Sequence, residues 1–297
     1  MVLKSPALPL ALPVIAPTEA EWRAMTVDER ESLLVQINDA LSDAAQTMGE
    51  GRRHKKAKTR TIDALNLHFR TIGRAVYLAE EMTVLYPGEP VFTPDVLAVV
   101  GVVEPEDDPR LAWVVADERK GLDCVLEVLH RGDRKKDLVD NVERYAHLGI
   151  PEYFVYDRLR QQIHGYRLVD GGARRYTRIV PQHGYLASTV LGLDMAIVGG
   201  KLRFFSGLAE LPETADLVDR LHGIVTDLEA KAEDAEARAE AAEDALRQGI
   251  ARLLAARGIG CSEEQRARLA DCTDATVLQR WLVLAMTAAT AEEVFSG

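Results

Sequence analysis

The chain has 297 residues, 47% of them hydrophobic, and a formal net charge of -11. That is enough apolar material for one substantial core plus an appendage, and no apolar run reaches the length of a membrane span. The acidic balance disfavours a non-specific nucleic-acid coat, but acids crowd residues 227–244 while Arg52, Arg53, Lys55, Lys56, Lys58 and Arg60 crowd an early stretch. Cys124, Cys261 and Cys272 show no CxxC spacing and cannot all pair, which points to a reducing, cytoplasmic compartment.

The first 17 residues are apolar but broken by prolines, and read as an extended arm rather than a helix-competent secretory leader. Residues 18–48 read as helix. Thr18-Glu19-Ala20-Glu21 and Thr26-Val27-Asp28-Glu29 both resemble capped starts, the second leads into Leu33, Leu34, Ile37 and Leu41 at helical spacing, and Gly49 and Gly51 end the run. Residues 53–72 predict another helix with Ile62, Leu65, Phe69 and Ile72 on one stripe. Its first turns carry the basic cluster, which is either a solvated face or a phosphate contact. Short β-like pieces follow at 76–78 and 82–86, with Glu80 and Glu81 as surface acids or as a further metal ligand.

Strands are predicted over residues 92–103 and 122–129, the second apolar on both faces and therefore central. Residues 137–148 predict a helix with Leu138, Val142 and Tyr145 on its buried stripe, closed by Gly149. Three strands follow, at 152–157, 163–168 and 176–180, the last two joined as a hairpin through Asp170-Gly171-Gly172. From Leu217 the composition shifts to Ala, Glu, Asp and Arg. Leu217, Leu221, Ile224 and Leu228 start a 4-3-4 seam that weakens afterwards, so residues from about 214 to 256 predict one long charged helix able to form a short coiled coil. Residues 262–295 predict two short helices. The organisation read from this pass is an arm (1–17), an α/β domain (18–205), a long charged helix (206–257) and a C-terminal helical segment (258–297).

Strand side chains alternate faces, so Glu127 shares its face with Asp123, Val125 and Leu129. A charge inside an apolar strand is costly unless it is paired or bound to metal. One reading is a salt bridge to Arg131 or Arg134. The other is a metal site, completed by Asp95 at the mouth of the preceding strand if the two strands pair. Two carboxylates with open positions suit Mg²⁺ (or Mn²⁺), an ion that polarises a phosphodiester and helps generate hydroxide. His54, His130 and His147 form no HxH or HExxH arrangement, although His130 follows the Glu127 strand. Ser188 and Ser206 lack a nucleophile-elbow sequence.

Pro94-Asp95, then Glu127-Val128-Leu129, then Asp137 with a helix ending Tyr145-Ala146-His147-Leu148-Gly149-Ile150, then Pro151-Glu152-Tyr153-Phe154-Val155-Tyr156-Asp157 resemble the Uma-two family of candidate endonucleases. That family belongs to the PD-(D/E)XK restriction-endonuclease-like superfamily, and the resemblance spans about residues 20–200. It implies an α/β restriction-endonuclease-like core, with a central mixed sheet flanked by helices. It also implies Mg²⁺-dependent hydrolysis of DNA phosphodiester bonds, with Asp95 and Glu127 as metal ligands. Two departures stand out. Leu129 occupies the third position of the (D/E)XK triplet, and Asn141 stands where many members carry a lysine one turn into the following helix. A lysine would orient the attacking water and offset charge; asparagine hydrogen-bonds but supplies no charge.

The nearby cations are Arg134, Lys135, Lys136 and Arg144. By helical spacing Arg134 and Arg144 can both share the face of Asn141, while Lys136 is the more lysine-like substitute but projects elsewhere if the helix already includes it. The candidate catalytic set is Asp95, Glu127, Lys136 and Asn141. Two functions follow: a metal-dependent endonuclease acting on DNA, or a nuclease-fold protein without hydrolysis that binds nucleic acid or another protein. In either case the long helix is the candidate surface for a homo-oligomer or a partner protein.

Overall fold

Two threonines set where the N-terminal helices begin in the computed structural model, which describes residues 13–46, 52–129 and 134–296. The predicted stops at Gly49 and Gly51, most of the arm, and His130 and Arg131 lie outside the described residues, as do the side chains of Arg52, Arg53 and His54. Thr18 and Glu21 exchange hydrogen bonds as a capping box at the start of α1 (Glu19–Ala24). Thr26 does the same with Glu29, its N–H donating at 2.8 Å to the carboxylate and its hydroxyl accepting at 3.3 Å from the Glu29 N–H. That second cap divides the expected 18–48 helix, so α2 (Val27–Gln46) begins afresh after an extended Met25. Then α3 (Arg52–Thr71) turns Leu65 and Phe69 inward, whereas Ile72 falls past its end and is exposed.

The chain continues through β1 (Val76–Glu80), β2 (Val84–Leu85), β3 (Val96–Val100), β4 (Trp113–Val114), α4 (Val115–Glu118) and β5 (Cys124–Val128). After it come α5 (Asn141–His147), β6 (Glu152–Asp157), β7 (Gln162–Leu168) and β8 (Tyr176–Arg178). Six of the strands form one mixed sheet in the order β1-β3-β5-β6-β7-β8. β5 and β6 are parallel and the other neighbours antiparallel. This is the mixed α/β core that the motif order implies.

Strand alternation sorts the sheet's side chains into two cores. Val96, Ala98, Cys124, Leu126, Val128, Phe154 and Tyr156 meet Leu65 and Phe69 of α3 on one face. Leu97, Val99, Val125, Leu129, Tyr153 and Val155 meet Tyr145 of α5 on the other. Every residue of β5 is buried, as expected of a strand covered on both faces. A third cluster seats Trp22 and Ile37 against Leu85, Val91 and Val114.

The first core is closed by a four-stranded antiparallel sheet over a region where the sequence reading assigned no elements. It consists of β9 (Leu186–Ser188), β10 (Leu193–Val198), β11 (Lys201–Ser206) and β12 (Ala209–Glu210), in the order β12-β11-β10-β9. Its strands are short and their turns bend through positive φ at Gly192, Gly199, Gly200 and Gly207.

The helix expected at 137–148 is two pieces. A π-helical turn spans Lys136–Asp140, with the Asn141 N–H donating to the Lys136 carbonyl, and α5 follows. A π turn holds more residues than an α turn, so residues before it are rotated relative to those after it. Tyr145 is fully buried, and Leu138 and Val142 pack against the same core from partly buried positions.

The chain falls into two compact units, Met1–Asp216 and Leu217–Gly297. The long helix α6 (Thr214–Ala256) sends Ile250 and Leu254 into the core of the second unit. That core also holds Leu269 of α7 (Glu263–Asp271), Leu278 and Trp281 of α8 (Ala275–Thr287), and Val294 and Phe295 of α9 (Ala291–Phe295). The third short helix, not expected from sequence, starts at a Thr290 cap. Leu221, Ile224 and Leu228 of the 4-3-4 seam are exposed. Among the described residues no helix is long and apolar enough to cross a membrane.

Candidate active site

Antiparallel pairing of β3 with β5 sets Val96 opposite Leu126, so the next residues outward, Asp95 and Glu127, meet at the end of the sheet. The two acids interlock through the backbone. The Asp95 N–H donates to Glu127 Oε2 at 3.2 Å, and the Val128 N–H donates to Asp95 Oδ2 at 2.7 Å. Tyr145 of α5 donates its hydroxyl to Glu127 Oε1 at 2.8 Å from within the second core. Both carboxylates are therefore aimed by donors on rigid elements.

Glu127 is 4% exposed. Its burial, followed by the negative charges of Asp95 and Asp137, pushes its carboxyl well above the usual carboxylate range, against the opposing Lys136 charge and Tyr145 hydroxyl. Burial likewise pushes the Tyr145 phenol up, with the Glu127 charge adding to it. The site thus holds Glu127 out of water beside a half-buried Asp95, and a cation placed at the pair would favour the ionised Glu127. All-oxygen donors of this kind suit a hard divalent ion that keeps several of its waters. Among the described residues no group of three or more His, Cys, Asp or Glu side chains gathers into a fuller cage.

The residue that sequence reasoning missed is Lys58. It lies on α3, only 2% exposed, with its ammonium 3.5 Å from Asp95 Oδ1 and paired with the Glu81 carboxylate. Glu81, read from sequence as a surface acid or a further metal ligand, is half-exposed and joins this group from a left-handed backbone with φ of +53°. Its N–H donates to the Asp95 carbonyl at 3.3 Å. The available signal was positional: Lys58 extends the core-facing stripe of Thr61, Leu65 and Phe69 by one turn, where an apolar residue is expected.

Most of the other candidates have partners of their own. Asn141 is buried, but its amide donates to Asp137 Oδ1 at 3.2 Å. Leu129 is packed in the second core. Arg134 is drawn into an ion pair with Asp157 at the end of β6. Arg144 turns to the Pro90 carbonyl and lies over the Phe92 ring at 4.6 Å. Lys135 reaches Asp140 at 3.0 Å on the surface. Lys136 is exposed, and its charge is felt at Glu127. His147 sits 3.5 Å from Glu89, away from the acid pair. Ser188 hydrogen-bonds Glu152 and Ser206 is exposed at the end of β11.

A cleft of about 180 Å³ opens beside α3, lined by Lys56, Ala57, Arg60, Tyr156, Arg158, Gly200, Lys201 and Leu202. Lys56 and Arg60 of the basic cluster thus share this cleft with Arg158, just past β6, and Lys201, at the start of β11. Arg60 and Lys201 share Glu213 as a partner, at 3.9 and 3.6 Å.

Residues 43–197 match the family model Uma2, whose description is "Putative restriction endonuclease". No curated protein matches the chain. Among solved structures, a crystal structure described as "a putative nuclease belonging to DUF820" from Anabaena variabilis ATCC 29413 is similar, with a TM-score of 0.38 and 13% sequence identity. The likeness covers 48% of this chain and 75% of that one.

Proposed function

The chain belongs to the Uma2 family, and from that premise we propose that it is a Mg²⁺- or Mn²⁺-dependent endonuclease hydrolysing DNA phosphodiester bonds. The observation that carries the reading is the interlocked pair. Asp95 and Glu127 are brought to one partly buried point and are each oriented by separate donors. A fold that only binds has no need to bear that like-charge burial.

Asp95 and Glu127 would hold the ion, and when bound it supplies Lewis-acid polarisation of the phosphate and a lowered pKa for its water. The chain's own contribution is alignment. Val128 and Lys58 fix Asp95, while Tyr145 and the Asp95 N–H fix Glu127. The cations of the α3 cleft support DNA as the substrate, because backbone phosphates are met by clustered Lys and Arg. Free cysteines agree with action in a reducing, cytoplasmic setting.

The test is cleavage of supercoiled and linear DNA by purified protein across Mg²⁺ and Mn²⁺ concentrations. Wild type should cut and Glu127→Ala should not. Leu129 and Asn141 at the two positions open to lysine favour a second reading, DNA binding without hydrolysis. On that reading wild type and Glu127→Ala are both inert across ions and DNA forms yet retain DNA in a mobility shift.

A further inference from the structure

We propose that Lys58 supplies the positive charge for phosphodiester cleavage that the chain lacks at positions 129 and 141. The inference rests on the nuclease reading above and assigns a role to a residue outside the family-derived motif positions. Three features of the fold lead to it. First, Lys58 lies on the stripe of α3 that faces the sheet, with Thr61, Leu65 and Phe69, so a packed helix and not a loop delivers its ammonium. Second, that ammonium reaches the acid pair itself, lying 3.5 Å from the Asp95 oxygen opposite the one that accepts the Val128 N–H. Third, the rival cations are committed elsewhere. Arg134 is held by Asp157 and Arg144 by the Pro90 carbonyl, and Lys135 lies on the surface against Asp140. Among the described residues of this group Lys136 still competes, from an exposed position.

The chemistry asks little of Lys58 beyond charge and donors. In the hydrolysis a water oxygen bonds to phosphorus as one P–O ester bond breaks. The water gives up a proton to solvent, the leaving alkoxide takes one up, and nothing is oxidised or reduced. An ammonium beside Asp95 donates to the attacking water or to a non-bridging phosphate oxygen and stays protonated throughout. Glu81, paired with the same ammonium, holds it in place before substrate arrives. A merely structural ion pair makes no use of the position relative to Asn141, and this separates the two roles.

The experiment compares wild type, Lys58→Met, Lys136→Met, Asn141→Lys, Lys58→Met/Asn141→Lys and Glu127→Gln in plasmid cleavage, with Mg²⁺ binding followed by thermal shift. The expected pattern is a roughly 10²- to 10³-fold loss for Lys58→Met, the usual scale for removing one preorganised donor, with the Mg²⁺-induced shift retained. Lys136→Met should lose at least about tenfold less than Lys58→Met, and the double variant should regain at least about tenfold over Lys58→Met. Should Lys58→Met fail to fold, Asn141→Lys and Lys136→Met still decide. A gain under about tenfold, with Lys136→Met still cutting, means the role is already filled by a cation other than Lys136, as assigned to Lys58; a gain above about tenfold means it was vacant and overturns the assignment. Cleavage by Lys58→Met near the wild-type rate, a loss with no rescue by Asn141→Lys, or a loss carried by Lys136→Met overturns the assignment while an inert Glu127→Gln leaves the nuclease reading standing. An inert wild type overturns both.

Discussion

Glu152 opens the most recognisable stretch of the chain, yet the structure gives it a load to carry and no part in the acid pair. The residue is fully buried at the start of β6. Its carboxylate accepts from Arg167 Nε at 2.7 Å, the Thr189 N–H at 2.9 Å, the Thr189 hydroxyl at 2.8 Å, the Val190 N–H at 3.3 Å and the Ser188 hydroxyl. These donors tie the main sheet to the turn between β9 and β10. Glu152→Ala leaves them without their acceptor, the buried Ser188 hydroxyl being the one least able to turn to water instead. Removing one partner of a buried charge pair costs about 3–5 kcal/mol. For the 216-residue first unit each kcal/mol is worth roughly 2–4 °C, so the melting temperature should fall by about 6–20 °C. Urea unfolding in a Trp281→Phe background reads this directly, because Trp22 and Trp113 then report the first unit alone. A loss below about 1 kcal/mol would refute the reasoning, and so would a normal melting temperature with the Mg²⁺ response abolished, which would make Glu152 a ligand.

Added Mg²⁺ should raise the melting temperature of wild type and not of Asp95→Ala; at a hundred times Kd the gain is about 2.7 kcal/mol. Folding raises the Glu127 carboxyl, so from the ordinary glutamate value of about 4.3 up to its higher folded value the unfolded chain binds fewer protons. Metal-free wild type should therefore lose stability relative to Glu127→Gln as pH rises through that window. Mg²⁺ stabilisation should grow over the same range, and parallel pH curves for the two proteins would count against it. Tyr145→Phe removes the hydroxyl donor to Glu127 Oε1 and should weaken Mg²⁺ binding by roughly 10- to 100-fold in a thermal-shift titration, with the fold intact. Truncation after Asp216 should leave the first unit folded, whereas truncation after Ser206 removes β12, the buried Leu211 and the Glu213 partner of Arg203 at 2.7 Å, and should lower its melting temperature. Equal melting of the two fragments by calorimetry would show that the segment is dispensable.

Much of the fold could be read from local pattern, because alternation and helical stripes report which face of an element is buried. Val96 to Val100 and Cys124 to Val128 declare themselves as covered strands, and an acid at the mouth of one and inside the other is visible without coordinates. The paired threonine caps are equally local, though the second one divides a helix that periodicity alone runs together. The β9–β12 sheet escaped because β9 and β12 are only three and two residues long and positive-φ glycine turns break up the segment around β10 and β11. The site's cations escaped for a different reason. Which charge meets which depends on how distant elements are rotated and docked. A five-residue π turn lies between Arg134 and Asn141, and Arg134 pairs with Asp157, neither of which α-helical spacing reveals. Lys58 sits far along the chain from both acids and within a basic run that resembles ordinary solvated surface. Only the packing of α3 onto the sheet removes that one lysine from water and sets it against Asp95, where burial makes the pairing obligatory.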